Sequence, residues 1–138
     1  MILVAVDSSG EYGSLAVWNE GEWSESVAHA PEGFAHLLFP ELEKLLDRCG
    51  VSLGDVDAFA AASGPGSFTG VRVALSAAKG LAEALGKPLL TCSNLEAMAM
   101  LGQAPLRAPL LDARRGEIYG GLYDGALRPV RPEVVQPL

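Results

Sequence analysis

The tightest constraint in the chain is the run AFAAASGPGSFTGVRVALSAAKGLAEAL at residues 58–85. Residues 57–62 are short and apolar enough for one strand, and a helical pattern runs from Gly70 to Leu85, ending at Gly86 with Pro88 just beyond. Between them, Pro65 fixes one φ angle, while Gly64 and Gly66 open backbone angles closed to other residues. The chain must therefore turn sharply from strand into helix, with Ser67 or Thr69 placed to cap it.

A glycine loop ahead of a helix raises the question of phosphate. A P-loop needs a Gly-Lys-Ser/Thr end so that the lysine reaches the terminal phosphates. Here Lys79 lies about two and a half turns along the helix, out of reach. A dinucleotide fingerprint fares no better, because Thr69 fills the third glycine place and the strand at residues 89–92 brings no acid. What remains is a structural loop of Gly64, Pro65, Gly66, Ser67, Phe68, Thr69 and Gly70, whose amides still suit an anion. The helix that follows mixes small residues (Gly70, Ala74, Ala77, Ala78, Ala82) with bulky ones (Val71, Leu75, Leu81, Leu85). So broad an apolar surface exceeds one stripe. It suits either a helix between layers of its own domain or one that also packs against a partner.

The rest of the chain supplies the layers. Residues 2–6 form an apolar strand ending at Asp7, Ser8-Ser9-Gly10 turns it, and residues 13–18 and 22–28 continue as strands around Asn19-Glu20-Gly21. In residues 34–49 the period changes: Leu38, Leu42, Leu45, Leu46 and Cys49 recur at helical spacing, with Pro40 tolerable only near the first turn. A strand at 89–92 and a helix capped by Ser93 or Asn94 and running to about Leu101 follow. This order predicts an α/β fold, a mixed sheet flanked by helices. Residues 109–122 again read strand, Asp, turn, strand, and Asp7 to Leu15 matches Asp112 to Leu122 with small gaps, a weak internal repeat. Residues 125–138, with Pro129, Pro132 and Pro137, are expected as loop.

Composition narrows the function. The 138 residues suffice for a core, and 49% hydrophobic with 20% charged excludes disorder. The net charge is −7, with 11 acids against Lys44 and Arg48 in residues 1–70. An acidic chain does not gather a polyphosphate strand by itself, so any RNA must be held mostly by something else. Cys49 and Cys92 make neither a metal set nor a disulfide framework and read as buried or half-buried thiols in a reducing compartment. The N-terminus has no basic n-region, and no apolar run approaches the roughly 20 residues of a membrane span. The expectation is a cytoplasmic protein.

Three blocks in order, Ile2-Leu-Val-Ala-Val-Asp-Ser-Ser9, Ser63-Gly-Pro-Gly-Ser-Phe-Thr-Gly-Val-Arg72 and Leu111-Asp-Ala-Arg-Arg-Gly-Glu-Ile-Tyr119, resemble the TsaB (YeaZ) family of bacterial tRNA threonylcarbamoyladenosine biosynthesis proteins, over roughly residues 1–123. The resemblance implies the actin-like ATPase fold of sugar kinases and heat-shock ATPases, built from duplicated ribonuclease-H-like halves. Residues 1–105 would be the first lobe and 106–138 the start of a truncated second, since the family's members run well beyond this length. It also implies a non-catalytic partner of the TsaD subunit, a homologue of peptidase family M22 that transfers threonylcarbamoyl to the anticodon-adjacent adenosine of tRNA. A TsaE ATPase joins that assembly. ATP and magnesium would belong to the partner subunits, tRNA would be met indirectly, and without TsaD the chain would pair with itself. In the family the first long helix and the Gly-Pro-Gly helix form the pairing surface. Those helices fall here at residues 37–49 and 70–85, which makes Leu38, Leu42, Leu45, Val71, Ala74, Leu75, Ala78 and Ala82 the interface candidates.

Other readings stay open beside it. Asp7, Ser8 and Ser9 stand where ATPases of this fold turn around phosphate and magnesium, so an ATP-binding kinase or ATPase is the alternative, and a plain strand-end turn is the structural one. A metallopeptidase is disfavoured: TsaD-like enzymes carry a His-x-x-x-His pair on the first helix, whereas His36 is followed by Pro40 and His29 lies on another element. Asp112, Arg114 and Arg115 suit an anion or a solvated turn. No residue is assigned a catalytic role, because two histidines without partners make no triad.

Overall fold

The computed structural model describes all 138 residues. They pack as two compact units, Met1–Ser63 with Ser67–Thr91, and Gly64–Gly66 with Cys92–Leu138. The lobe boundary expected at residue 105 falls inside the second unit.

In the first unit, β1 (Ile2–Asp7), β2 (Tyr12–Asn19) and β3 (Glu22–His29) form an antiparallel meander, and β4 (Ala58–Ala62) joins β1 in parallel. With β5 (Leu89–Cys92) the sheet order is β3-β2-β1-β4-β5. It is the mixed sheet that the sequence predicts. Strand alternation gathers the bulky residues on one face. Val4 lies between Val17 and Phe59 in the ladder, and Val6 between Leu15 and Ala61, all of them buried. Helix α1 (Ala35–Cys49) covers this face with Leu38, Leu42, Leu45 and Leu46, and helix α2 (Phe68–Leu85) with Ala74, Ala78 and Ala82. Each leucine buried here contributes roughly 1.5–3 kcal/mol.

Pro40 corrects one expectation, since it sits inside α1 rather than in its first turn. It leaves the His36 carbonyl without its helical donor. Four buried leucines on one side outweigh that loss. Polar ties add to them: the Glu41 carboxylate accepts from Ser26 Oγ at 2.9 Å and Lys44 Nζ at 2.8 Å, and Arg48 Nη2 donates to the Glu25 carbonyl at 2.6 Å.

The second unit centres on β8 (Glu117–Asp124). One edge of β8 takes β7 (Leu110–Arg114) and then β6 (Leu106–Arg107); the other takes β9 (Pro129–Pro137). Helix α3 (Asn94–Met100), capped where Ser93 Oγ accepts from Leu95 N at 3.1 Å, buries Leu95 and Ala99 with Tyr123. The strand β9 overturns the loop expected at residues 125–138. Val130, Val134 and Val135 favour a strand, and prolines are tolerated because β9 is an edge, with Pro132 beside a register shift.

One contact in the first unit leaves no room for a side chain. Ser8 Oγ donates to the Gly70 carbonyl at 2.7 Å, Ser67 N donates to the Ser9 carbonyl at 2.6 Å, and a Cβ on Gly70 would stand 1.8 Å from Ser8 O. Gly70→Ala is therefore expected to cost about 3 kcal/mol. Gly80→Ala, where a Cβ meets nothing within 4 Å, should gain about 0.5–1 kcal/mol. Urea denaturation of the two variants checks both signs.

Candidate functional site

Six of the eight interface candidates are core residues. Leu38, Leu42, Leu45, Ala74, Ala78 and Ala82 are all buried within the first unit, so they do not face a partner. Periodicity shows that a helix has an apolar face; it does not say which of two apolar faces turns inward. Val71 and Leu75 are half-buried, Leu75 packing at the margin of the core. Leu42→Glu or Ala78→Glu would thus unfold the unit before testing any interface.

The solvent side of α2 is a different set, which sequence reasoning missed. Phe68, Arg72, Ser76, Gly80 and Ala84 recur every four residues, and all are exposed. Phe68 is 70% exposed, and the Arg72 guanidinium lies 3.8 Å from its ring centroid, while Gly80 opens onto empty space. On α1, Phe39 is 54% exposed. With Leu46, Leu53 and Leu81 it lines a groove of about 410 Å³ edged by Glu43 and Asp47. The signal that would have found this stripe is the four-residue repeat of small side chains.

The turn after β1 is closed on itself. Asp7 Oδ1 accepts from Ser9 N at 2.8 Å, and Ser8 and Ser9 are buried. With the Ser8 hydroxyl on Gly70, this trio serves to seat α2. The seven-residue loop divides between the units. Ser67, Phe68, Thr69 and Gly70 open α2, with Ser67 Oγ accepting from Gly70 N at 3.3 Å. Gly64, at φ +91, and Pro65 turn their carbonyls to Asn94, whose N and Nδ2 donate at 2.7 and 2.9 Å. Only glycine takes that φ without strain.

His36 is exposed on α1, while the His29 ring stacks 4.9 Å from Tyr12. No three His, Cys, Asp or Glu side chains come together in a metal-sized group. Cys49 is half-buried as expected, but Cys92 is exposed. At the β7–β8 turn, Asp112 Oδ1 accepts from Arg114 N at 2.7 Å, and Arg114, Arg115 and Gly116 all take positive φ. One hydrogen-bonded cluster around the buried Tyr123 had no sequence signal at all. Tyr123 OH and Ser93 Oγ both donate to Glu133 Oε1, across separations of 10 and 40 residues.

The family model described as "TsaD: tRNA N6-adenosine threonylcarbamoyltransferase" matches residues 28–131. The chain belongs to the TsaD family. Within that family it is similar to the tRNA threonylcarbamoyladenosine biosynthesis protein TsaB of Escherichia coli (strain K12), 35% identical over 127 residues, 89% of this chain and 55% of that protein. The TsaB of Bacillus subtilis (strain 168) is 34% identical over 139 residues, 96% of this chain and 61% of that one. The structure of YeaZ from Pseudomonas aeruginosa superposes with a TM-score of 0.88 at 38% identity, over 99% of this chain and 67% of that one. The chain thus spans less than two thirds of the length of these two TsaB proteins. The three-block resemblance and the α/β, actin-like class of the TsaD family both hold.

The Tyr123 cluster gives a pH test. Burial first, then the Glu133 carboxylate, pushes the Tyr123 phenol up to about 12 from the usual value of 10. A pKa raised on folding supplies stability that is complete below pH 10 and lost as pH rises through 12. Wild type should therefore lose stability relative to Tyr123→Phe between about pH 10 and 12. Below pH 9 the variant should be the less stable by about 1 kcal/mol, from the missing hydrogen bond. Denaturant titrations at pH 8 and pH 11 compare the pair; a constant difference would contradict the burial of the phenol.

Proposed function

We propose that the chain is a non-catalytic partner subunit in the making of tRNA threonylcarbamoyladenosine, docking on a TsaD-like transferase through the outward sides of α1 and α2. The observation that carries this reading is the exposed stripe on α2. Ser76, Gly80 and Ala84 present little but backbone to solvent, with Phe68 and Arg72 at one end. Small side chains let a second helix approach to the short end of the usual 8–10 Å interaxial distance. The groove beside Phe39 offers a seat for one bulky apolar side chain. The six core residues act indirectly, by fixing both helices to the sheet so that the outer surface is rigid. TsaB proteins carry the pathway's name, and similarity to them supports the same setting here.

Chemistry is assigned to the partners. The Ser8 hydroxyl is bonded to Gly70, and Asp7 holds its own turn, an arrangement that favours structure over nucleotide binding. ATP and magnesium are accordingly placed on the TsaD-like and TsaE-like subunits, with the chain requiring no cofactor and pairing with itself in their absence. No helix is long and apolar enough to cross a membrane, and the setting proposed is the cytoplasm.

Gly80→Gln tests the surface without touching the core, because position 80 faces open space. The variant should melt at or above the wild-type temperature yet bind a TsaD-like subunit at least tenfold more weakly, and tRNA threonylcarbamoylation by the reconstituted assembly should fall with it. Unchanged affinity by calorimetry would sink the docking surface. Tight binding of ATP–Mg by the isolated chain would favour the kinase reading instead.

A further inference from the structure

Several cations of this chain are taken up by its own acceptors. Lys44 meets Glu41, Arg48 the Glu25 carbonyl, Arg107 the carbonyls of Ala99 and Ala104, and Arg128 the Asp124 carboxylate. Arg72 is held differently. Its guanidinium carbon lies 3.8 Å from the centre of the Phe68 ring, one helical turn earlier, and both residues are exposed. A ring face attracts a cation but offers no lone pair in hydrogen-bonding position, so the guanidinium N–H donors are not satisfied by it. None of them reaches an acceptor of this chain. Phe68 itself lies outside the core that α2 covers. What the ring does is restrain a long side chain whose ordering otherwise counts against binding.

Phe68 and Arg72 stand in the same stripe as Ser76, Gly80 and Ala84. A helix laid against those small residues also covers Arg72, one turn away. A covered guanidinium without a counter-charge costs affinity, so the docked partner must bring an anion to this point. Arginine's planar fork takes a carboxylate through two parallel bonds, which a lysine cannot do. A phosphate fits the same fork, but the surroundings count against a nucleic-acid strand. Glu43 and Asp47 edge the groove on α1, and residues 1–70 hold 11 acids against Lys44 and Arg48. A single carboxylate on a protein avoids that repulsion; a polyphosphate backbone does not.

We propose that Arg72 selects an aspartate or glutamate on the docked TsaD-like subunit, a pairing that rests on the docking reading above. Phe68 is the positioning residue. Lys79, exposed on the same helix, has no ring to hold it and adds only diffuse charge.

Calorimetry of the full chain with a TsaD-like subunit measures the pairing. Arg72→Gln is expected to weaken docking about tenfold with an unchanged melting temperature, while Lys79→Gln changes little. Phe68→Leu should weaken docking less, and Phe68→Leu/Arg72→Gln should bind no worse than Arg72→Gln alone. Arg72→Lys places an amine at the same point, and a carbodiimide should join it to a carboxylate of the subunit, a cross-link read by mass spectrometry. An affinity unchanged by Arg72→Gln, a loss no greater than that from Lys79→Gln, or no cross-link to a carboxylate overturns the pairing. So does an Arg72→Gln chain that docks normally yet lowers tRNA threonylcarbamoylation, which gives the arginine to the RNA. If wild type does not bind the subunit, the docking surface and the carboxylate pairing fall together. If Gly80→Gln weakens binding and Arg72→Gln does not, the docking surface stands and only the pairing is lost.

Discussion

Position 70 admits no side chain because the Ser8 carbonyl occupies the space, and much of the first unit follows from that. The contact seats the first turn of α2 on the turn after β1. From that seat the helix runs close over β1 and β4, and only small residues fit beneath it. Ala74, Ala78 and Ala82 are the consequence, filling the interval above a sheet face already built of Val4, Val6, Phe59 and Ala61. Close inward packing in turn decides what faces out. The residues two positions on, at the opposite side of the helix, Ser76, Gly80 and Ala84, are left in solvent, and a Cβ at Gly80 would meet nothing.

The sequence made the elements legible and left the faces ambiguous. β1 to β5 and α1 to α3 appear within two residues of their expected places, because each has a clear period and a glycine, serine or proline at its end. The choice of inward face on α1 and α2 was not legible. Both sides of α2 are small or apolar, and only the Gly70 contact, made with a residue 62 positions earlier, fixes its rotation. β9 failed for the opposite reason. Pro129, Pro132 and Pro137 look like breakers locally, and their tolerance depends on β9 being an outer strand, a property of the sheet rather than of the segment. The cluster of Tyr123, Ser93 and Glu133 is assembled from three elements and has no spacing to read.

The repeated hairpin shows how one local device comes to serve two ends. An aspartate that ties its own turn needs nothing from outside, so the device is stable in either copy. What differs is cover. Where the first turn of α2 lies over the turn, its residues are small, buried and bonded inward. Where no helix of the same unit does so, they are long, charged and exposed. Two arginines on a chain of net charge −7 do not make a basic protein, and they cannot supply the long-range attraction by which a basic surface collects RNA.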